Sequence, residues 1–293
     1  MIKPMLAHKY NPDKAKWPAY IQPKLDGVRC IIRYEKGFNA NLDPSYDDRD
    51  KVVAYSRTGK EFKNIEHIKA HLKENFFNKF PDVVLDGELY NHKLKNDFEK
   101  IISLVRKTKP TKEHRLEANK LVQFHCYDII PHENETYEFR KGFLHWNLPQ
   151  SYCVHLISTA YILNDRDAGL HHRANLKGGY EGSIYRSIDG YYKGTRSWDL
   201  MKFKDFSDAE ATIVGYELGK GKREGTIGKF LMMDDEGIKF GCPPGKGYNY
   251  KEMTRMLNNI SDYMGKFATF TFFGRTKANS YRHPLFKALR NYE

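Results

Sequence analysis

An Asp26-Gly27 pair stands between two apolar runs, Ala19 to Leu25 and Val28 to Tyr34. Aspartate followed by glycine between strand-like segments is the strongest short-range turn signal a sequence carries, and it predicts a hairpin here. Lys24 then lies where one strand ends and Arg29 lies on the returning strand. The hexamer Lys24-Leu25-Asp26-Gly27-Val28-Arg29 thus concentrates an amine, a carboxylate, a tight turn and a guanidinium. A lysine held there becomes a nucleophile once its ammonium loses a proton, which desolvation or neighbouring cations favour. Taken alone the hexamer reads better as a solvated turn with an ordinary charged lysine, because Lys, Asp and Gly are common turn residues. What it does must be read from the rest of the chain.

A chain of 293 residues buries a core without staples and has room for one large or two medium domains. No apolar run reaches membrane-spanning length, and residues 1–20 lack the apolar segment of a signal peptide. The four cysteines are scattered with no Cys-x-x-Cys pair, which argues against a zinc ribbon and for a reduced cytoplasmic setting. The net charge of +12, with 20 Tyr and 18 Phe, suits a polyanionic partner such as nucleic acid.

The first two-thirds mixes strands and helices irregularly, the pattern of an α+β domain. Expected strands are Val52 to Tyr55, Val83 to Tyr90, Leu121 to Ile130, Tyr152 to Ile162, Tyr180 to Arg186 and Trp198 to Phe203. Expected helices are Phe62 to Phe77, with His67 and His71 on an exposed face, Phe98 to Lys107, Tyr137 to Leu148, with Trp146 facing a core, and Asn164 to Lys177. Gly37 to Asp50 and Thr108 to Lys120 are expected to be loops. Composition changes at Asp205 to Glu210. Beyond it come strands Ala211 to Glu217, Thr226 to Met233, Gly237 to Gly241, Lys266 to Phe273 and Leu285 to Leu289, with one helix, Tyr250 to Met264, between the third and fourth. That is the layout of an OB-fold β-barrel, so the domains are expected at 1–206 and 207–293.

Several short motifs follow the hexamer in order: Ser56-Arg57-Thr58-Gly59-Lys60, Asp86-Gly87-Glu88-Leu89-Tyr90, Cys126-Tyr127-Asp128, Glu181-Gly182-Ser183-Ile184-Tyr185-Arg186, Met201-Lys202-Phe203-Lys204 and Arg282 to Arg290. Each alone is an ordinary turn or strand. Strand alternation turns Asp86 and Glu88 to one side, and Lys202 and Lys204 to one side with Met201 and Phe203 facing inward. The ordered set resembles the ATP-dependent DNA ligases of the covalent nucleotidyltransferase superfamily, most closely the small two-domain ligases of viruses and bacteriophages. The resemblance covers nearly the whole chain and implies a nucleotidyltransferase domain followed by the OB domain.

The resemblance also implies roles. Lys24 attacks the α-phosphate of ATP, expels pyrophosphate and holds AMP as a phosphoramide, with Asp26 beside it. Gln22 contacts adenine and Tyr127 stacks on it. Arg29 contacts the nucleotide or the nick phosphate, and Arg57 and Arg196 grip the 5′-phosphate, for which a planar guanidinium is suited. Glu88 serves the ribose or metal, and with Glu181 forms a carboxylate cluster for Mg²⁺ or Mn²⁺, hard cations that prefer oxygen. Lys202 and Lys204 face the α-phosphate and stabilise charge in the transition state. Arg290, or alternatively Arg282, approaches the β- and γ-phosphates. The family usually continues past that arginine with an acid and a lysine, where this chain has Asn291-Tyr292-Glu293. Only Gly219 to Arg223 stands where some viral ligases carry a DNA-clasping insertion, so DNA is expected to be held by distributed basic surface. The implied partner is nicked duplex DNA, the implied state a monomer. An RNA ligase or mRNA guanylyltransferase of the same superfamily, and an inactive nucleic-acid-binding protein on the same fold, are the alternatives.

Overall fold

The Asp26-Gly27 turn does not make a hairpin. β2 (Ala19–Lys24) and β3 (Val28–Glu35) lie in different sheets, and the chain crosses from one to the other at residues 25–27. In the computed structural model, residues 3–37, 51–95, 97–131, 134–205, 207–245, 247–276 and 279–290 are described. The expected loop Gly37 to Asp50 falls outside them beyond Gly37, as do Asn291 to Glu293. Gly27 is a glycine for lack of room rather than for turn geometry. Its φ is not in the left-handed region that the tight hairpin turns require, but a Cβ on it would lie 2.4 Å from the carbonyl oxygen of Leu89. The crossing runs flat against another strand, and only a residue without a side chain fits.

The first sheet has the order β1-β10-β9-β2-β8, with β1 Leu6–Lys9, β8 Ala160–Ile162, β9 Gly182–Ser187 and β10 Arg196–Phe203. The second has the order β4-β3-β5-β6-β7, with β4 Lys51–Ser56, β5 Val84–Tyr90, β6 Gln123–Ile130 and β7 Val154–Leu156. The expected strand Tyr152 to Ile162 is therefore two strands in two sheets, and the chain crosses again at residues 157–159. Leu25 from the first crossing and Ile157 from the second bury together with Tyr90.

The main core lies where the second sheet meets α1 (Glu66–Leu72), α2 (Phe98–Val105), α3 (Lys112–Leu121) and α4 (Tyr137–Asn147). α5 (Asp165–Lys177) packs on β9 and β2 of the first sheet and contributes Ala168 to a smaller core. Three helix expectations are corrected. The first helix begins only at Glu66, after Phe62 and Ile65 have entered the core from irregular chain, and ends in a π turn at Lys73–Phe77. The segment Thr108 to Lys120 is not all loop, because Thr111, just after Pro110, caps α3 in a reciprocal box with His114. Trp146 is 82 % exposed, since α4 buries its Tyr137, Arg140 and Leu144 face instead. His67 and His71 are half-buried rather than solvated, each bonded at 2.9 Å to a backbone carbonyl, of Val122 and Pro149 respectively.

The chain divides into two compact units, Met1–Lys204 and Asp205–Glu293. The second contains β11 (Ser207–Leu218), β12 (Ile227–Met233), β13 (Lys239–Cys242), α6 (Tyr250–Asn258), β14 (Phe267–Phe272) and β15 (Leu285–Leu289). These strands form one antiparallel sheet in the order β13-β12-β11-β14-β15. The five strands and the helix between the third and fourth agree with the sequence reading, but α6 ends at Asn258 rather than Met264 and is followed by a separate 3-10 turn at Ile260–Asp262. The ladder does not close into a barrel among the described residues; a single parallel bridge, Pro244 to Phe286, ties the chain beyond β13 to β15.

Candidate active site

Because β2 ends at Lys24 and β3 begins at Val28 in the other sheet, the crossing opens a cleft with one wall from each. It encloses about 260 Å³ and is lined from the first sheet by Gln22, Lys24, Arg196 and Lys202. Arg29, Glu88 and Tyr127 line it from the second sheet, and Arg57 from the turn after β4. Residues far apart in sequence and singled out by motif therefore share one cavity. Arg57 is exposed on a turn in which Gly59, at φ +81°, closes back on Ser56 with a 2.9 Å bond. Asp26 lies on the crossing itself.

The Lys24 ammonium donates to one carboxylate oxygen of Glu181 and the Lys204 ammonium to the other. Glu181 is well placed for this, because its backbone N–H donates at 3.0 Å to the carbonyl of Lys24 and its neighbour Gly182 pairs with Lys24 across β9 and β2. Burial, reinforced by the nearby Lys24 charge, lowers the Lys204 ammonium below its usual value despite Glu181. Met201 is fully buried and Phe203 stacks on Tyr10 and His172 at 4.4 and 3.8 Å, which turns the lysines of that strand outward as the alternation required.

Glu88 is the acidic wall of the cleft. Burial outweighs the attraction of Lys24 and Arg29 and pushes its carboxyl up to about 7. Among the described residues no side chain or backbone group hydrogen-bonds to it. Arg29, by contrast, is fully committed: its Nε donates to Asp86 at 2.9 Å, a second nitrogen also bonds Asp86, and a third donates to the Met5 carbonyl at 2.6 Å. Asp86 in turn accepts from the Tyr192 hydroxyl at 2.7 Å. So of the two acids on β5, Asp86 orients an arginine and Glu88 is left facing the cleft.

A buried polar layer lies behind the cleft and was not legible as such in the sequence. Asp128 is fully buried and bonds Arg140 and Arg186, each at 2.7 Å. Arg186 passes the contact on, donating at 2.7 Å to the side-chain oxygen of Gln22. The Gln22 amide nitrogen donates to Tyr137 (2.8 Å) and Thr159 (3.0 Å). Gln22 thus reaches the cleft with its amide already engaged. The signal was present: Asp128 and Arg186 are charged residues inside otherwise apolar strand segments, where an unpaired charge is costly.

No group of three His, Cys, Asp or Glu side chains able to hold a metal ion occurs among the described residues. The carboxylates nearest to hand are Glu88, which accepts no hydrogen bond among the described residues, and Glu181, whose two oxygens are engaged by Lys24 and Lys204 and would have to be shared with a cation. That fits Mg²⁺, which characteristically takes one or two carboxylates and completes its shell with substrate phosphates and water. Arg290 and Arg282 lie in the second unit, where Arg290 bonds Glu210 and Arg282 lies 6.0 Å from the Phe273 ring.

The fold is shared with a solved Lig E DNA ligase, at 22 % identity and a TM-score of 0.75 over 98 % of both chains. Over residues 4–204 the chain matches the ATP dependent DNA ligase domain, and it belongs to that family. It is 24 % identical to the DNA ligase of Enterobacteria phage T6, over 89 % of this chain and 62 % of that protein. It is 28 % identical to a DNA ligase of African swine fever virus, over 78 % of this chain and 52 % of that protein. The chain thus spans between about half and three-fifths of the length of these curated relatives.

Proposed function

We propose that this protein is an ATP-dependent DNA ligase that seals 5′-phosphate, 3′-hydroxyl nicks in duplex DNA. The observation that carries the reading is one cleft that gathers Lys24, Lys202, Arg29, Arg57, Arg196, Glu88 and Tyr127 around a lysine anchored at a strand end. In the first step the neutral amine of Lys24 forms a bond to the α-phosphorus of ATP. The bond to the bridging oxygen breaks, pyrophosphate leaves, and AMP remains on Lys24 as a phosphoramide. Lys202 and Lys204 face the charge that builds on the phosphoryl oxygens. Tyr127 offers its ring to the base, and the engaged Gln22 presents a fixed edge. In the second step a 5′-phosphate oxygen, gripped by Arg57 and Arg196, takes the AMP from Lys24. In the third the 3′-hydroxyl attacks that 5′-phosphorus and AMP leaves.

Mg²⁺ or Mn²⁺, when bound, neutralises phosphate charge, and Glu88 with Glu181 would hold it. The second unit is proposed to be an OB domain whose Arg290 serves the β- and γ-phosphates, and the enzyme to act as a monomer. The strand order and the single helix between β13 and β14 support the OB reading.

The test uses ATP labelled in the α-phosphate. The protein is charged with it and Mg²⁺, freed of nucleotide, and mixed with nicked duplex. Label should move from protein to the DNA end and then to free AMP as the nick closes, and Lys24→Ala should take up none. Label that leaves only with an RNA end, or that enters only from GTP, would overturn the proposal.

A further inference from the structure

Gln22 is where the cleft meets the buried layer behind it. Gln22, Tyr127 and Arg186 all line the cleft. A glutamine amide has two N–H donors on its nitrogen and two lone pairs on its oxygen, and turning the amide over exchanges the two sides. A glutamine at liberty to turn therefore meets a donor or an acceptor equally well. Gln22 is held from both ends.

On the oxygen side stands the buried Arg186 of β9, whose Nε donates to Gln22 at 2.7 Å. A guanidinium carries donors only and stays charged, so a turned amide would set N–H against N–H. On the nitrogen side stand the hydroxyls of Tyr137, on α4, and Thr159, on the second crossing, at 2.8 and 3.0 Å. Each hydroxyl has one hydrogen and directs it to a backbone carbonyl, Tyr137 to that of Tyr127 at 3.3 Å and Thr159 to that of Ile157 at 3.2 Å. Both hydroxyl oxygens therefore accept from Gln22. The two N–H groups and one lone pair are taken, so the capacity left to the amide among the described residues is a single lone pair, an acceptor. The same Tyr137 hydroxyl that fixes Gln22 also holds the backbone of Tyr127, whose ring lines the cleft.

We propose that Tyr137, Thr159 and Arg186 are positioning residues that make the cleft select a 6-aminopurine nucleotide over a 6-oxopurine one, by holding Gln22 as an acceptor. The 6-amino group of adenine donates to the remaining lone pair. The 6-oxygen of hypoxanthine or guanine brings a second acceptor to it, and the two repel. A site built for one hydrogen-bonding sense rejects the opposite sense strongly, because both groups are then left unpaired away from water. The proposal rests on the ligase reading for placing the base against Gln22, and on the clamp itself for the selectivity.

Inosine triphosphate is the probe, since it differs from ATP only in its 6-oxygen and the hydrogen on N1. Equilibrium binding of both nucleotides to the full chain is measured beside the kinetics of charging with each, labelled in the α-phosphate. The wild type should prefer ATP by about 100-fold or more in both readouts. Tyr137→Phe keeps the buried ring and releases one N–H of Gln22 towards the cleft. It should lower the preference by about 10-fold, through Kd and KM, with kcat for ATP within about threefold of wild type. Thr159→Val should act in the same sense. A residue that only supported the fold would weaken both nucleotides alike and leave their ratio where it was. Gln22→Glu is the converse, because a carboxylate accepts in either orientation and pairs with Arg186. It should keep the preference for ATP, and adding Tyr137→Phe to it should no longer change the ratio. A wild type that takes both nucleotides within about threefold, or a Tyr137→Phe variant with the wild-type ratio, would overturn the proposal, while charging by ATP and nick sealing would leave the ligase reading standing. A wild type that binds ATP over inosine triphosphate but is never charged would overturn the ligase reading and leave the clamp.

Discussion

Lys24 and Lys204 are joined through a single carboxylate, that of Glu181, one ammonium on each oxygen. The side chains are only 22 %, 20 % and 8 % exposed, so the lysines hold their places by charge in a partly dried setting. A triphosphate entering the cleft offers the same lysines a stronger anion. Glu181→Ala should leave two ammoniums facing each other and free Lys24 to wander from the strand end. Lysyl-AMP formation in a single-turnover assay should fall by about 100-fold or more, because what the variant gives up is nucleophile orientation. Stability should fall by only about 1–2 kcal/mol, since solvent reaches both lysines. Charging within about threefold of wild type would show that the bridge has no part in placing Lys24.

Glu88 makes a stability prediction with a defined sign. Its folded-state carboxyl is raised to about 7 from an ordinary value of 4.5. Between those values the folded protein binds more protons than the unfolded chain. Its contribution is therefore most favourable below the ordinary value and is lost as pH rises through about 7. Glu88→Gln should remove that pH dependence and stabilise the nucleotide-free protein above neutrality by about 1–3 kcal/mol. It should also abolish metal-dependent charging. Thermal unfolding of both proteins on either side of neutrality, in mildly acidic and mildly alkaline buffer, measures it; equal pH dependence in the two would show that the carboxyl is not perturbed.

Gly27→Ala should fail for want of space. The new Cβ would meet the Leu89 carbonyl oxygen at 2.4 Å and the Glu88 side chain at 2.7 Å, and the first of these is backbone. The crossing would have to lift from β5, costing about 1–3 kcal/mol by overpacking, and would carry Lys24 with it. Charging should fall further than stability does, measured well below the unfolding temperature. Gly59→Ala provides the contrast: φ there is +81°, so its cost of about 1 kcal/mol comes from backbone conformation, on a turn that leaves Lys24 undisturbed.

What the sequence disclosed and what it hid follow from the reach of each signal. Alternation along a strand is local, so it correctly turned Lys202 and Lys204 away from the core side occupied by Met201. Motif order gathered residues that the fold then brought into one cleft. Sheet membership is not local. Asp26-Gly27 has a hairpin's composition, and only the proximity of Leu89, far along the chain, shows why the glycine is there. The strand pair at 152–162 was hidden for the same reason. Trp146 was misplaced because aromatic character outweighed phase: α4 buries Arg140 instead, and a buried arginine is expected only once Asp128 is known to lie beneath it.

That buried layer gives the last prediction. Asp128 is the shared counter-charge of Arg140 and Arg186, and all three are almost wholly inaccessible. Asp128→Asn keeps the shape and removes the charge, stranding two guanidiniums in the interior. The expected loss is about 3–5 kcal/mol, the range seen when one partner of a buried pair is removed. Trp146→Ser, at the opposite extreme of exposure, should change stability by less than about 0.5 kcal/mol. If Asp128 acts only as a counter-ion, Asp128→Asn/Arg140→Met should recover part of the stability by deleting one stranded cation. Activity should not recover with it, because Arg186 would still lack the partner that holds it against Gln22, and the orientation of the Gln22 amide at the cleft depends on that contact. A double variant that regained both stability and ATP affinity would show that the layer supports the fold without tuning the nucleotide site.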